Sequence, residues 1–318
     1  MAKILVTGGA GFIGSNLADR LLSEGNEVFI IDNLSSGRRD YVPDGAVFWE
    51  MDICDPQMIE RCASEGFKVI YHLAAQIDVR KSVADPAGDT KVNILGGINV
   101  LEAAKRAGAK VVMASTGGAI YGETEEIPTT ENTPTYPLSP YGINKLALEK
   151  YLNYYYFAYG LNYTILRFAN VYGPRQYKGG EAGVIAIFTE AMATGKPCTL
   201  YGDGKQTRDF VYVDDVVSAL VKAGKIDCRG EINIGTGKEI DMWQMVSAIE
   251  AAAGGKLALE LAPGRIGEQR RSVLSNRRAL ETLDWQPEVG FEEGVKRTYD
   301  WVRSLLVEDI ANKSFVEI

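Results

Sequence analysis

Apolar positions in this chain fall into short runs separated by longer stretches of helical period. Lys3 to Val6, Glu27 to Ile31, Val47 to Met51, Val69 to His72, Lys110 to Ala114 and Thr164 to Phe168 are runs rich in β-branched, leucine and aromatic residues. Their length and composition are those of buried strands. Between them lie helical segments, among them SNLADRLLSEGN after the first run and Asn93 to Ala107. Strands alternating with helices predict an α/β fold, a doubly wound parallel sheet (Rossmann) whose ligands gather at the carboxyl ends of the strands. Beyond Gly173-Pro174 the alternation loosens. LYGDGKQTRDFVYV is expected as a hairpin around its Gly-Asp-Gly turn, with Asp214 or Asp215 capping the next helix. A strand at Glu231 to Ile234, a helix from about Asp241 to Ala253, the loop PGRIGEQRRSVL and a last helix from about Phe291 to Leu306 follow. The expected division is a first domain at 1–171 and a smaller C-terminal α/β domain at 172–318, with segments around 210–236 packing back onto the first. No internal repeat or low-complexity segment interrupts this pattern.

Composition narrows the function classes. The 318 residues carry 34 Lys and Arg against 42 Asp and Glu, a net charge of −8 that argues against a general nucleic-acid surface. A local basic pocket for a phosphorylated ligand is compatible with it. Cys54, Cys62, Cys198 and Cys228 have no CxxC spacing and read as reduced thiols. His72 is the only histidine, which rules out zinc sites built on histidine pairs, and its place at the end of an apolar run suits a satisfied core residue. No metal site is expected. The chain starts with a short apolar run leading into glycines, without a signal-peptide pattern, and no apolar run nears the ~18 residues of a membrane span. A cytoplasmic protein is the expectation.

The first run ends in TGGAGFIG. Gly9, Gly11 and Gly14 fit one dinucleotide fingerprint, and Gly8, Gly11 and Gly14 fit its three-residue-spaced variant. In either, glycines permit a tight turn and let N–H groups at a helix N-terminus meet a pyrophosphate. The second run ends at Asp32, placed to accept from the adenosine ribose hydroxyls and to repel the extra phosphate of NADP. Arg38 and Arg39 lie just beyond, either offsetting that charge or sitting in a solvated loop. NAD is the expected cofactor. Asp52 and Ile53, at the third strand end, either flank the adenine or, for Asp52, cap a turn.

A second chemical signal is SPYGINKLALEK, Ser139 to Lys150, where a serine that can cap precedes a proline that can open a helix. Tyr141 and Lys145 are then one turn apart on one face. A positive charge about 4 Å from a phenol supplies on the order of 4 kcal/mol at an effective dielectric near 20, enough to lower a pKa of ~10 by up to roughly three pH units before lysine desolvation opposes it. A base usable near neutral pH becomes possible. The same helix continues through a stripe of Leu152, Tyr155, Tyr156 and Tyr159, more typical of a core or a subunit interface than of a ligand box.

With TGGAGFIG, Asp32-Asn33, Asp52-Ile53, HLAA at 72–75, YGINK and RFANVYGPR in order, the chain resembles the extended short-chain dehydrogenase/reductase superfamily, and within it the UDP-glucose 4-epimerases. The resemblance implies a retained NAD lined by Gly8, Gly11, Phe12, Ile13, Gly14, Asp32, Asn33, Asp52, Ile53, Leu73, Ala74, Ala75, Asn93, Ser115, Tyr141, Lys145 and Phe168. It implies that Tyr141 takes the proton of the sugar 4-hydroxyl while C4 loses hydride, with Lys145 lowering the tyrosine and holding the nicotinamide ribose. Relatives place a serine or threonine hydroxyl four residues before the YG; here that position is Gly117, so Thr116, Ser115 or a water must serve, and Thr116 is favoured. Relatives that dehydrate or decarboxylate nucleotide sugars carry Asp-Glu or Glu directly after that position, where this chain has Gly118 and Ala119. For the substrate, the resemblance implies Asn170, Arg208 and Arg265 on the UDP diphosphate and Glu268 on the uridine ribose; surface charge pairing is the alternative for the charged ones. Ser272 stands where a bulky residue would exclude an N-acetyl group, so UDP-GlcNAc and UDP-GalNAc are expected substrates beside UDP-Glc and UDP-Gal. A homodimer through the helices around Asn93 to Ala107 and Ser139 to Tyr159 is also implied. The competing readings are another nucleotide-sugar reaction, such as epimerisation of a UDP-uronic acid using the charges of Arg270 and Arg271, and a non-catalytic NAD-binding sensor.

Overall fold

The computed structural model describes residues 1–176, 183–264 and 269–314, with side chains of the last helix described through Val307. In chain order the elements are β1 (Lys3–Thr7), α1 (Phe12–Ser23), β2 (Glu27–Asp32), β3 (Val47–Glu50), α2 (Gln57–Ala63), β4 (Val69–His72), α3 (Val79–Ala84), α4 (Pro86–Thr90) and, after a π-helical stretch at Lys91–Gly96, α5 (Gly97–Ala107). Then come β5 (Lys110–Thr116), α6 (Gly117–Ile120), α7 (Pro140–Tyr159), β6 (Tyr163–Phe168), β7 (Asn170–Tyr172), α8 (Val184–Thr194), β8 (Cys198–Tyr201), β9 (Thr207–Arg208), β10 (Phe210–Tyr212), α9 (Val213–Lys225) and β11 (Glu231–Ile234). The chain ends through β12 (Ile240–Asp241), α10 (Met242–Ala253), β13 (Leu259–Ala262), β14 (Arg271–Ser272), α11 (Arg277–Leu283) and α12 (Phe291–Ser314).

Seven strands form the central sheet in the order β11-β6-β5-β4-β1-β2-β3, every neighbouring pair parallel. The order reverses between β1 and β4, which opens a crevice at the carboxyl edge. Strand alternation feeds two cores. Ile4, Val6, Val28 and Ile30 face Leu17 and Leu21 of α1 and Val216 and Leu220 of α9. Leu5, Phe29, Ile31, Val111 and Met113 face Val100, Leu101 and Ala104 of α5 and Leu148 and Leu152 of α7. Both faces are thus covered, as continuously apolar parallel strands require.

The helix that carries Tyr141 starts as its sequence suggests. Pro140 occupies its first turn, and the Ser139 hydroxyl accepts from the Gly142 N–H at 3.2 Å. Gly160 closes it in the left-handed conformation with φ 72°. Asp241 caps α10 in a reciprocal capping box with Gln244.

Four expectations change. No hairpin forms around Gly202-Asp203-Gly204: β8 pairs in parallel with β13, β9 pairs with β12 and β14, and β10 pairs with β7. The glycine turn is present, with φ of 75° at Gly202 and 73° at Gly204, but long-range partners win the strands on either side. Asp214 and Asp215 lie in the first turn of α9 rather than at its cap, which is Tyr212. The Asp215 carboxylate instead accepts from the Glu288 and Val289 N–H groups at 3.0 and 3.2 Å. The last helix runs on to Ser314, and Asn93 sits in the π-helical stretch before α5.

Candidate active site

The turn between β1 and α1 leaves no room for side chains. A Cβ on Gly14 would overlap the Gly8 carbonyl oxygen, and one on Gly8, whose φ is 73°, would come within 2.7 Å of the Ala74 nitrogen. Gly11 is the N-cap of α1 and has no side chain to cap it, so the helix begins at Phe12 and Ile13 without a side-chain acceptor for its first N–H groups. Around this cradle the carboxyl ends of the strands assemble. The Leu73 N–H donates to Thr7 O at 3.1 Å and the Ala74 N–H to Thr7 Oγ1 at 3.3 Å, and Ala75 continues the same half-buried segment. Asn93 clamps the next residue by accepting from the Gln76 N–H at 3.0 Å and donating to its carbonyl at 2.8 Å.

Asp32 ends β2 with its carboxylate buried. It accepts from the Ala10 N–H at 3.0 Å and the Leu34 N–H at 2.9 Å. Burial raises its pKa, and those two hydrogen bonds oppose the rise. Arg38 is held by Asp40, with Nε to Oδ1 at 2.9 Å, and Arg39 lies over the Phe48 ring at 4.6 Å. Both guanidinium groups thus have partners of their own in and beside the loop. Asn33 donates to Asp52 Oδ2 at 2.9 Å, and Asp52 Oδ1 accepts from the Cys54 N–H at 2.7 Å. Burial raises the Asp52 pKa, but these hydrogen bonds outweigh it and hold the carboxyl below its ordinary value. Asp52 therefore caps a turn and orders the strand ends at once, with Ile53 buried beside it. A backbone cradle without Cβ atoms, an uncapped helix N-terminus and a carboxylate at the end of β2 together fit NAD.

Across the crevice stands α7. Lys145 is 3% exposed, and its Nζ donates to the Ala114 carbonyl of β5 at 3.1 Å; Tyr141, one turn earlier, is half-buried at the carboxyl edge. Ser115 and Thr116 are consecutive on β5 and point to opposite faces. Ser115 Oγ donates to Glu149 Oε1 at 2.7 Å on the α7 side. Thr116 stands at the N-cap of α6 in extended conformation without spending its hydroxyl on the cap, beside Phe168 in register on β6. His72, 2% exposed, holds Thr7 Oγ1 at 2.9 Å through Nδ1. Burial, helped by the Lys145 charge, pushes its pKa down to about 3; it is a neutral core residue.

Gly117 has a packing reason. A Cβ there would overlap Leu274 Cδ1 and lie 2.8 Å from Cδ2, so the leucine fills the space a side chain would need. At Gly118 a Cβ would lie 3.6 Å from Asn170 Oδ1 and 4.0 Å from Ser272 Oγ. The end of β5 thus meets β7 and β14. Arg208 stands opposite Ser272 in the β9–β14 register and donates to Thr207 O at 2.8 Å. Arg265 and Glu268 lie outside the described residues.

Sequence reasoning passed over the group that braces this edge. Glu149 is fully buried and takes a bidentate ion pair from Arg167, at 3.0 Å from Nε and 2.6 Å from Nη2. Arg167 Nη1 donates to Tyr121 Oη at 2.9 Å, and Tyr121 donates to Asn233 Oδ1 at 2.8 Å. The Glu149 pairing raises the Arg167 pKa although burial opposes it. An arginine inside the apolar run TILRF was the available signal, since a buried charge demands a partner.

This crevice and its strand-end residues fit an NAD-dependent α/β enzyme, and the chain belongs to the NAD dependent epimerase/dehydratase family, whose profile matches residues 4–235. It is 46% identical to the UDP-glucose 4-epimerase of Mycolicibacterium smegmatis over 95% of this chain and 99% of that one. Among solved structures it is similar to the UDP-glucose 4-epimerase of Thermotoga maritima with UDP-glucose, at 45% identity and TM-score 0.93 over 96% of this chain and 99% of that one. The Thermus thermophilus UDP-glucose 4-epimerase in complex with NAD is 45% identical, with TM-score 0.89 over 95% and 99% of the two chains.

Proposed function

We propose that this protein is an NAD-dependent UDP-hexose 4-epimerase that interconverts UDP-glucose and UDP-galactose through a 4-keto sugar, a step of galactose and carbohydrate metabolism. Tyr141 takes the 4-hydroxyl proton and returns it; Lys145, held by the Ala114 carbonyl, supplies the positive charge that favours the phenolate. Thr116 donates to the sugar 4-oxygen from the end of β5, since Ser115 is engaged with Glu149. NAD held in this cradle would supply the acceptor for the C4 hydride and the donor that returns it to the other face of the sugar. Gly8, Gly11 and Gly14 receive its pyrophosphate and Asp32 its adenosine ribose. Asn33, Asp52, Ile53, Leu73 to Ala75, Asn93 and Phe168 complete that wall. Asn170, Arg208 and Arg265 hold the UDP diphosphate, and Glu268 the uridine ribose.

The observation that carries this reading over elimination or decarboxylation is Gly118. It faces Asn170 and Ser272 at the substrate side and offers no acid or base for breaking a second bond. The uronic-acid reading loses its support, because Arg270 is bidentate to Asp203 at 2.9 and 3.0 Å and Arg271 to Glu239 at 2.7 Å on both nitrogens. Ser272, small and beside Gly118, leaves room for N-acetylated UDP-hexoses.

The same reading places the cofactor on residues 1–171 and the sugar nucleotide on 172–318, with 210–236 returning to the sheet, as β11 does beside β6. It takes the protein as cytoplasmic; among the described residues no helix is long and apolar enough to cross a membrane. Two copies pair through the helices around 93–107 and 139–159, where Leu95, Ile143, Tyr154 and Phe157 are exposed, Phe157 by 88%. Sedimentation of a Phe157→Glu variant as monomer beside a dimeric parent is the expected check. The activity itself is tested by incubating purified protein, without added cofactor, with UDP-glucose, UDP-galactose, UDP-GlcNAc and UDP-GalNAc and following products by NMR. Interconversion at C4 is expected within both pairs. A dehydrated or decarboxylated product, or no turnover, would overturn the reading.

A further inference from the structure

Asp209 links β9 to β10 and is 1% exposed. Its main chain joins two substrate-side positions: its N–H donates to Ser272 O and its carbonyl accepts from the Asn170 N–H, each at 2.9 Å. Its carboxylate is ringed by donors from two other segments. Oδ1 accepts from the Thr236 N–H at 2.8 Å and the Thr236 hydroxyl at 2.6 Å. Oδ2 accepts from the N–H groups of Thr236 at 3.1 Å, Gly237 at 3.2 Å and Leu274 at 3.2 Å. A Cβ on Gly235 would overlap Oδ2 and lie 3.1 Å from Leu274 Cβ, so the carboxylate cannot be lengthened or displaced toward that side. Leu274, anchored by Oδ2, is the residue that fills the space beside Gly117.

We propose that Asp209 is a positioning residue for the sugar nucleotide: its carboxylate ties the segment of Ser272 and Leu274 to the turn after β11, and so sets where Ser272, Asn170 and Arg208 stand relative to the end of β5. The inference rests on the epimerase reading of the site. Its physical basis is acceptor count. A carboxylate accepts several charge-assisted hydrogen bonds, whereas the amide of the isosteric asparagine has one accepting oxygen. With Asp209→Asn, an NH2 group at the Oδ2 position leaves the Gly237 and Leu274 N–H groups without their acceptor, and one at the Oδ1 position leaves the Thr236 N–H only its bond to Oδ2 and turns the Thr236 hydroxyl from donor to acceptor. Either arrangement weakens the tie between the 272–274 segment and the turn after β11, with the main-chain bonds of Ser272 to Asp209 and of Val273 and Ser275 to Thr129 remaining, while the glycine cradle, Tyr141 and Lys145, on other elements, keep their supports.

The test compares the full-length parent, Asp209→Asn and Thr236→Val by UDP calorimetry, KM and kcat for UDP-galactose, and NAD retained per chain. Asp209→Asn is expected to weaken UDP binding and raise KM by about tenfold or more, to lower kcat by a smaller factor, and to keep its NAD. Thr236→Val, which removes one hydroxyl donor and leaves the carboxylate, is expected to move KM and UDP affinity in the same direction by about threefold; it decides the matter if Asp209→Asn does not fold. Folded, NAD-loaded variants with parental UDP affinity and KM, whatever their melting temperature, would overturn the proposal. A parent that neither binds UDP nor turns over UDP-hexoses would overturn the epimerase reading and this inference with it.

Discussion

Placing a serine at position 117, where the family resemblance implies a serine or threonine hydroxyl, should harm this protein rather than improve it. Gly117 is buried, and a Cβ there would overlap Leu274 Cδ1, with Cδ2 at 2.8 Å, whereas carbon atoms rest at ~3.5–4.0 Å. Leu274 has little freedom to yield: it is 1% exposed, its N–H is held by Asp209, and a Cβ on Gly235 would lie only 3.1 Å from its own Cβ. Overpacking of this kind costs about 1–3 kcal/mol. Because Gly117 is not at positive φ, losing a glycine returns about 0.4–1 kcal/mol through the unfolded state. With the middle of each range, Gly117→Ser should destabilise by about 1–2 kcal/mol. Leu274→Ala alone should cost about 2–5 kcal/mol as a cavity. In the double variant the serine occupies part of that cavity, so the cost should fall short of the sum by at least about 1 kcal/mol. Urea unfolding of the NAD-loaded proteins, followed by tryptophan fluorescence, measures all three corners. Strict additivity, or a Gly117→Ser protein within about 0.5 kcal/mol of the parent, would refute the steric account.

Thr116→Val should lower kcat about 10²–10³-fold with little change in KM, as for loss of a hydrogen bond to developing charge. Ser115→Ala should instead lower stability by about 1.5–3 kcal/mol, the worth of a hydrogen bond to buried charge, and leave kcat near parental; the reverse pattern in steady-state kinetics would exchange their roles. Arg167→Met, which strands the Glu149 carboxylate, should cost about 3–5 kcal/mol in unfolding free energy, while Arg167→Met with Glu149→Leu should cost clearly less. His72 gives a pH dependence of fixed sign. Its folded pKa of about 3 lies below the ordinary value of 6.5, so its contribution is complete above pH 6.5. As pH falls further the unfolded chain takes up a proton that the folded one refuses, and stability drops by up to about 1.4 kcal/mol per pH unit. Replacing it by His72→Asn, which keeps a partner for Thr7, should flatten the melting temperature between pH 6 and 4 relative to the parent.

The features that the chain alone determined are those whose physics is local. A glycine turn between an apolar run and a helix, a carboxylate at the end of the next run, a capped proline-opened helix and a tyrosine one turn before a lysine are set within a few residues. The structure places them where their spacing implied. Residues far apart decided the rest. The strands beside the Gly-Asp-Gly turn pair with β13, β14 and β7 instead of each other, and in those places Leu200, Phe210, Val211 and Tyr212 are buried in the core shared with α9 and α10. The sequence favoured Thr116 but left Ser115 or a water in play, and Glu149, on another element, engages the Ser115 hydroxyl. Gly117 looked like a missing catalytic group until Leu274, distant in the chain, proved to fill its space. Which atoms share a void or an acceptor depends on packing between elements, and no local pattern encodes it.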